Sequence, residues 1–382
     1  MKRPLEGVQI LDLSRHLPGP LASRILADHG ARVIRVDAMG GVGETVTNVA
    51  LPLLLRKKES IKLNMRSPRG KELFLELAKR SDVLIESYRP GTAEAMGIGY
   101  DTLRKINPRL IYCSITGYGR ESRMKDQIGH DINFMCSSGL VDLMTHPGKA
   151  PTVPAVQIAD VFGGTVQAVM AILLALFSRS SSGEGKFLDI SMFDGVKPLA
   201  HLPLEFLALG MPFGCGESIV GGSLACYGFY KTKDNRFVGI GALEKRHFKR
   251  LCEALGIEDL TPDQYNPTQQ QKLISRLQGI FLKKSADEWQ KELEPFNVCA
   301  TKANTFLEAI EDTGAQTVTN TETAAGKDPG YPVCGVPFKL DSIAKGGIEP
   351  HTDPGRDTDK ILKEIGLADN EIAGLRTSGV VG

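Results

Sequence analysis

Residues 8–13, Val8-Gln9-Ile10-Leu11-Asp12-Leu13, form a short apolar run that opens the first folded unit of the chain. The turn Pro18-Gly19-Pro20 follows, and then a helical pattern over residues 21–29. A second apolar run, Val33-Ile34-Arg35-Val36-Asp37, comes next. This order predicts a βαβ unit, in which the two strands lie parallel.

The same alternation continues through the first half of the chain. Further strands are predicted within residues 56–66 and over residues 82–86, 110–115 and 187–192. Helices are predicted over residues 68–80, at a segment ending near Asn107, and over residues 166–177, where the sequence is apolar on all sides and predicts a buried helix. Strands that alternate with helices predict an α/β fold with a parallel sheet covered on both faces.

A dinucleotide-binding site is not supported by the first turn. Asp37 ends the second strand, where a ribose-binding acid often lies. The turn Arg15-His16-Leu17-Pro18-Gly19-Pro20 nevertheless lacks a G-x-G-x-x-G sequence, and the glycine run from Gly40 to Gly43 follows the wrong strand.

The length of 382 residues predicts more than one domain. Residues 1–196 are predicted to form a large domain, and the irregular stretch 197–224 a linker. Residues 225–326 are predicted to form a small α+β domain, with a hairpin of strands over residues 227–232 and 236–241 and helices over 245–255, 269–282 and 286–293. A Pro/Gly-rich linker over residues 327–337 and a final helix over residues 359–365, capped by Thr358, complete the chain.

Composition restricts the possible partners. The 46 basic and 45 acidic residues leave a net charge of +1, which argues against nucleic-acid binding. Seven scattered cysteines without C-x-x-C spacing argue against disulfides and structural zinc and favour a reducing cytoplasm. The sequence has no signal-peptide pattern, and no apolar run is expected to span a membrane.

No metal site is predicted. Four residues near the C-terminus could resemble metal ligands: His351, Asp353, Asp357 and Asp359. They lie on a loop and a helix start, where acidic residues are expected to cap the helix instead.

Two segments carry candidate acid–base residues. Gly129-His130-Asp131-Ile132-Asn133 delivers a His-Asp pair to the start of an apolar segment. Gln157-Ile158-Ala159-Asp160 places a carboxylate shortly before two glycines, Gly163 and Gly164, and a long apolar helix. Histidine exchanges protons near neutral pH, so His130 and Asp160 are candidate bases.

A cationic residue follows the predicted strand 82–86. The Pro90-Gly91 turn places Arg89 at the carboxyl end of that strand. Ligands of open α/β sheets bind at this edge, and arginine suits phosphate because it donates charge-assisted, often bidentate hydrogen bonds. Arg89 is therefore a candidate phosphate contact.

Several motifs together resemble the family that contains α-methylacyl-CoA racemase and the class III CoA-transferases. They are VQILDLSRHLPGPLASRILADHGARVIRVD (8–37), YRPG (88–91), INPRLIYCSITGYG (106–119), GHDINF (129–134), QIADVFGG (157–164), AILLALF (171–177), GEGKFLDISMFDG (183–195) and DTDKILKEIGL (357–367). The resemblance implies a Rossmann-like large domain completed by the C-terminal segment, a small α+β domain and an interlocked homodimer. It also implies an acyl-CoA substrate, with coenzyme A as part of the substrate and no further cofactor.

The two branches of that family differ at residues 129–133. Racemases carry G-H-D-I-N, as this chain does, and the resemblance implies that His130 and Asp160 exchange the α-proton of a CoA thioester. It assigns stabilisation of the enolate oxygen to a backbone N–H at Asp131, and the orientation of the His130 ring to Glu244. The alternatives are a CoA-transferase, in which Asp160 forms an acyl-enzyme, and a CoA-binding homologue that has lost catalysis and serves as a scaffold.

The resemblance also implies the residues that contact CoA. Arg89 and Tyr88, with Met65 and Arg66, are expected beside the nucleotide, and Lys125 is a further candidate cation. The chain departs from many relatives in having Ala38, instead of arginine, after the second strand. It also departs from the usual racemase sequences at residues 219–227 and 298–303, in the small domain that helps to enclose the acyl group.

Overall fold

The computed structural model describes residues 3–40, 52–312, 316–318, 322–323, 326–327, 331–333 and 353–382. The glycine run beyond Gly40, most of the linker 327–337, and His351 lie outside the described residues.

The strands are β1 (Gln9–Asp12), β2 (Arg32–Ala38), β3 (Lys58–Leu63), β4 (Val83–Glu86), β5 (Ile111–Thr116), β6 (Phe187–Ser191), β7 (Tyr227–Lys231), β8 (Phe237–Gly241), β9 (Ala300–Lys302), β10 (Gln316–Val318), β11 (Glu322–Thr323), β12 (Gly326–Lys327) and β13 (Tyr331–Val333).

The α-helices are α1 (Pro18–Asp28), α2 (Pro52–Leu55), α3 (Pro68–Lys79), α4 (Thr92–Ala95), α5 (Tyr100–Ile106), α6 (Asp131–Ser137), α7 (Leu140–Leu143), α8 (Gln167–Ser182), α9 (Met192–Gly195), α10 (His201–Ala208), α11 (Lys245–Leu255), α12 (Gln270–Phe281), α13 (Ala286–Leu293), α14 (Phe306–Asp312), α15 (Thr358–Glu364) and α16 (Asp369–Thr377). A π-helix, Ala159–Val166, directly precedes α8, and 3₁₀ segments cover Lys197–Ala200, Glu258–Asp263, Pro267–Gln269 and Glu294–Phe296.

The chain divides into two units. The first contains residues 1–138, 154–197 and 316–382, and the second contains residues 139–153 and 198–315. The stretch 197–224, predicted as a linker, includes the helix α10, and residues 139–153 lie in the second unit.

A six-stranded parallel sheet forms the centre of the first unit. Its strand order is β3-β2-β1-β4-β5-β6, so the direction of strand addition reverses between β1 and β4. This is the order of the doubly wound nucleotide-binding folds, whose ligands bind at the carboxyl ends of the strands near that reversal. The prediction of an α/β fold with a parallel sheet is confirmed.

Alternate side chains of the central strands β1 and β4 are buried on opposite faces of the sheet. Leu11 and Leu84 pack with residues of α3, α15 and α16 on one face, whereas Ile10 and Ile85 pack against α1 and α8 on the other. Burial on both faces explains why these strands read as nearly continuous apolar runs in the sequence.

α1 starts earlier than the sequence predicts. The turn Pro18-Gly19-Pro20 forms the first helical turn itself, because an N–H is not required there and a proline at N1 is already preorganised for a helix. Its close approach to the preceding turn requires Gly19, since a Cβ on Gly19 would lie 2.2 Å from Ser14 Cβ.

The C-terminal segment packs on β3. The N–H of Asn64 donates to the Val380 carbonyl at 2.9 Å, and Leu63 bridges Val381 in antiparallel fashion. Asp357 Oδ2 accepts the N–H of Ser60 at 2.9 Å and directly precedes α15. Thr358 is therefore the first residue of the helix rather than its cap, and its Oγ1 accepts the N–H of Lys62 at 3.2 Å.

α8 does not fit the prediction of a buried helix. Only one stripe of it, which includes Ala168, Ile172 and Ala175, is buried against the sheet. Leu174 and Phe177 on the other side are 63% and 80% exposed within this chain. The apolar sequence correctly predicted that this segment is a helix. It did not show what covers the outward face of α8, which carries Leu174 and Phe177.

Together with the preceding π-helix, α8 also corrects the expectation that no apolar run reaches membrane-spanning length. The continuous helical segment Ala159–Ser182 has 24 residues and is apolar over most of its length, and about one third of its apolar part is buried. Its length and composition would suit a membrane helix, and the core helices of other proteins share both features.

The second unit is built around the three-stranded antiparallel sheet β7-β8-β9. Its helices α11, α12 and α13 pack on that sheet through Phe248, Leu277 and Trp289. The predicted hairpin and the three predicted helices are confirmed, with both ends of α11 and α13 as the sequence places them.

Candidate active site

α6 presents His130 at its amino-terminal end. The N–H of His130 donates to Asn133 Oδ1 at 3.0 Å, and the residue has an extended backbone. Phe134 anchors the helix because its ring is buried and packs edge-on against Tyr118, with ring centroids 5.1 Å apart. His130 itself is exposed on this fixed support.

Asp160 lies in the first turn of the π-helix. π-Helical turns are rare in proteins, and those that do occur are frequently found at functional sites. This one packs directly on the backbone of α9: a Cβ on Gly163 would lie 2.3 Å from the Met192 carbonyl oxygen, and one on Gly195 would lie 2.3 Å from the Gly163 carbonyl oxygen. Both glycines are therefore required for the contact that fixes the segment bearing Asp160.

A hydrogen bond joins the two predicted segments. The backbone N–H of Asp160 donates to Asp131 Oδ1 at 3.0 Å. Burial and, to a smaller extent, the nearby Asp131 carboxylate raise the pKa of Asp160 to about 6, and the charge of His130 acts in the opposite direction. A carboxyl group with such a pKa can both donate and accept a proton near neutral pH.

The predicted trio of His130, Asp131 and Asp160 is thus brought together within the first unit. The side chain of Asp131 has a function that the sequence did not predict, since it accepts the N–H at the start of the π-helix and adds negative charge beside Asp160.

His16 was not predicted as a site residue. Burial lowers the pKa of its imidazole, and the charges of His130 and Arg15 lower it further, so His16 lies within electrostatic range of His130. Its φ of 64° is in the left-handed region, which is uncommon for a residue other than glycine and is a recurrent feature of functional sites. The feature of the sequence that could have identified His16 is its position, because it is a histidine in the turn at the carboxyl end of the first strand.

The predicted CoA contacts follow the carboxyl ends of two strands. Met65 and Arg66 come directly after β3, and Tyr88 and Arg89 come after β4. Both arginines are exposed, whereas Met65 and Tyr88 are partly buried against the core. Arg15 lies over the Tyr88 ring, with its Cζ atom 5.9 Å from the ring centroid. One edge of the sheet therefore carries three exposed guanidinium groups and a tyrosine.

Two further predicted site residues, Lys125 and Glu244, do not follow the ends of β3 and β4. Lys125 is exposed in the connection between β5 and α6, where its N–H donates to the Ser122 carbonyl at 3.0 Å. Glu244 belongs to the second unit, where it directly precedes α11 and is exposed. The carbonyl of the preceding Leu243 accepts hydrogen bonds from Gln264 Nε2, at 2.7 Å, and from the Tyr265 hydroxyl. The predicted bond between Glu244 and His130 stays a prediction.

The aspartates considered as metal ligands bond to protein groups. Asp357 accepts the Ser60 N–H, and Asp359 pairs with Arg376 at 2.7 Å.

A doubly wound sheet with an acid–base cluster and cationic side chains at its carboxyl edge is typical of α/β enzymes that bind nucleotide-containing ligands. The family model described as CoA-transferase family III matches residues 5–358. The chain belongs to this family.

The similarity to individual relatives covers almost the whole chain. Alpha-methylacyl-CoA racemase of Mus musculus is 30% identical over 387 residues, covering 99% of this chain and 97% of the relative. Succinyl-CoA:glutarate CoA-transferase of Homo sapiens is 31% identical over 402 residues, covering 99% and 90%. The crystal structure of a CAIB/BAIF family protein from Brucella suis superposes with a TM-score of 0.79 at 26% identity, covering 96% of this chain and all of that one. The family thus includes a racemase and CoA-transferases.

Proposed function

We propose that this chain is a 2-methylacyl-CoA racemase or epimerase, which inverts the α-carbon of a CoA thioester by 1,1-proton transfer. The observation that carries the proposal is the pairing of a nitrogen base, His130, with Asp160, a carboxyl group whose pKa is raised to about 6. Inversion requires one group to remove the α-proton and another to return a proton to the opposite face of the planar enolate.

The protonation states suit a reversible exchange. In one direction neutral His130 accepts the α-proton and protonated Asp160 donates its own. In the other direction the Asp160 carboxylate is the base and the His130 imidazolium is the acid. Because the pKa of Asp160 is close to neutral, both of its forms are populated at physiological pH.

The enolate formed between these steps carries negative charge on the thioester oxygen. A fixed N–H donor stabilises such a charge most when it needs no rearrangement. The backbone N–H of Asp131, in the first turn of α6, is the group proposed for this role. The Asn133 bond to the N–H of His130 holds that turn in place.

The CoA portion is proposed to bind along the same edge of the sheet. Arg89 and Arg66 would pair with its phosphates, and Met65 and Tyr88 would contact the nucleotide. Arginine suits these contacts because its planar guanidinium bonds phosphate oxygens in pairs.

The test is incorporation of deuterium at the α-carbon. The protein is incubated in D₂O with a panel of branched and bile-acid-like acyl-CoA esters, and the mass of each ester is followed. The proposal predicts a gain of one mass unit, abolished when His130 and Asp160 are both replaced by alanine. Absence of exchange across the panel would contradict it.

The second candidate is a CoA-transferase in which Asp160 attacks the thioester carbonyl, displaces the CoA thiolate and holds the acyl group as a mixed anhydride. The thiolate then attacks the Asp160 carbonyl, which forms a CoA thioester on Asp160 and releases the carboxylic acid. The similarity to CoA-transferases at 31% identity favours it. Conversion of the activated Asp160 carboxyl group to a hydroxamate by hydroxylamine, together with no α-proton exchange, would establish this reaction instead.

A homodimer is part of the proposal. The outward stripe of α8, which includes Met170, Leu173, Leu174 and Phe177, is exposed within one chain. Apolar surface of this kind is stabilised by burial against a partner, and the family resemblance implies that a second copy of the chain provides it.

A further inference from the structure

We propose that His16 is a substrate-contacting residue of this site, a neutral imidazole that donates a hydrogen bond to the acyl thioester beside His130. The inference rests on the proposed function, because it places His16 at the acyl end of the proton-transfer site.

The first argument is position. His16 lies in the turn between β1 and α1, at the carboxyl end of the strand where the direction of strand addition reverses. The preceding Arg15 is tied to the end of β4, since its N–H donates to Ser87 Oγ at 2.8 Å. The turn therefore spans the place where ligands of this fold bind.

The second argument is that the turn is fixed on its other side by the π-helix. Thr165 Oγ1 donates to the Pro18 carbonyl at 2.8 Å. A Cβ on Gly164 would lie 2.8 Å from Pro18 Cβ, so the two segments are in close contact. The segment that carries Asp160 and the turn that carries His16 are thus joined directly.

The third argument is the backbone conformation of His16. A left-handed φ of 64° costs of order 1 kcal/mol for a non-glycine residue and persists when its surroundings impose it. Contacts at both ends of the turn impose it here. The His16 side chain is exposed, and its electrostatic interaction with His130 shows that the two imidazoles lie within range of each other.

The fourth argument is protonation. Partial desolvation lowers the pKa of His16, and the charges of His130 and Arg15 lower it further. When His130 takes the α-proton and becomes cationic, His16 is therefore held neutral. A neutral imidazole keeps one N–H as a hydrogen-bond donor and does not compete for the transferred proton.

The test has a binding arm that does not depend on turnover. The full chain is labelled with ¹³C-histidine, and the signals of His16 and His130 are assigned with H16Q and H130Q. Addition of 2-methylpropanoyl-CoA is expected to shift the His16 signal, whereas free CoA, which lacks the acyl group, leaves it in place. In H130Q the His16 signal is expected to titrate at higher pH, because a cationic neighbour has been removed. Equal His16 signals with the acyl ester and with free CoA would overturn the inference.

The kinetic arm measures deuterium exchange into 2-methylpropanoyl-CoA. H16L is expected to lower kcat by about 100- to 1000-fold with little change in KM, as is usual when one donor to a developing oxyanion is removed. H16Q, which keeps an N–H donor, is expected to recover most of that loss, and H201Q, which changes an exposed histidine of the second unit, is the matched control. An H16L enzyme with wild-type kcat would overturn the inference. If the wild type itself gave no exchange, the proposed function would fail, and the binding arm would still decide the role of His16.

Discussion

The carboxylate of Asp131 accepts the backbone N–H of Asp160 at 3.0 Å, and this bond joins the start of α6 to the start of the π-helix. One residue therefore both positions the neighbouring acid and places a like charge beside it. Since like charges disfavour ionisation, Asp131 contributes to the raised pKa of Asp160.

Replacing Asp131 by asparagine separates these two effects. The amide oxygen can still accept the N–H of Asp160, but the negative charge is lost. We expect the pKa of Asp160 to fall, so that the corresponding limb of the pH profile of α-proton exchange moves to lower pH. Exchange rates between pH 4.5 and 8 measure this, and a limb that stays at its wild-type pH would show that the charge of Asp131 has no influence.

The raised pKa of Asp160 also predicts an effect on stability. The folded state binds a proton on Asp160 more tightly than the unfolded state does, so this group contributes less stability as pH rises from about 4 to about 6. Asp160→Asn removes the unfavourable buried charge and is expected to raise the free energy of unfolding at pH 7 by about 1–2 kcal/mol.

Denaturant titrations at pH 7 and pH 4 test the effect. The gain is expected to shrink at pH 4, where Asp160 is protonated in the folded protein. Asp126→Asn, a change of an exposed aspartate, serves as the control. A variant less stable than wild type at pH 7 would refute the assignment of Asp160 as a destabilised buried acid.

The contact between the π-helix and α9 predicts a strong requirement for glycine. Gly163→Ala places a methyl group 2.3 Å from the Met192 carbonyl oxygen, and the backbone must move to accommodate it. We expect a loss of about 1–3 kcal/mol in stability, together with a fall in kcat, because Asp160 is displaced.

Gly279→Ala is the matched control for this substitution. Gly279 lies within α12 in the second unit, and a Cβ there meets no atom within 4 Å. That change is expected to stabilise the protein by about 0.5–1 kcal/mol, because alanine favours the helix. Thermal unfolding measures the change in stability of both variants. Equal changes for Gly163→Ala and Gly279→Ala would argue against a close backbone contact at Gly163.

The exposed stripe of α8 gives a prediction about assembly. If a second copy covers Leu174 and Phe177, glutamate at either position buries an unpaired charge in the interface and dissociates the dimer. Sedimentation velocity is expected to show a dimer for the wild type and a monomer for Leu174→Glu. Leu282→Glu, at a half-exposed apolar position of the second unit, controls for a nonspecific effect of the added charge. A monomeric wild type would rule out the proposed assembly.

Arg89 gives a prediction about the nucleotide end of the substrate. Arg89→Ala is expected to weaken binding of free CoA by about 10-fold or more, the usual loss for one charge-assisted phosphate contact. Calorimetric titration with CoA measures the change. Arg69→Ala removes an exposed arginine that pairs with Glu72 on α3, and it is expected to leave affinity unchanged. Equal affinities for the two variants would remove Arg89 from the CoA site.

Local sequence predicted some features and missed others for identifiable reasons. The strands were evident because burial on both faces makes them continuous apolar runs, and α11 and α13 because each has one apolar stripe. The start of α1 was missed because Pro18-Gly19-Pro20 is typical of a turn, yet proline and glycine are also accepted in the first helical turn. The exposure of α8 was missed because hydropathy does not reveal the number of surfaces available to cover a helix.

The sequence by itself determined the order of strands and helices, the resulting α/β class of the sheet, and the chemical identity of His130, Asp131, Asp160 and Arg89 as groups able to exchange protons or bind phosphate. These follow from side-chain periodicity and from the chemistry of single residues, which are local properties. The tertiary structure alone decided that Asp131 bonds to the N–H of Asp160, that burial raises the pKa of that acid to about 6, and that His16 comes near His130. Such effects depend on distances and burial between residues far apart in the chain, and only the folded backbone fixes those distances.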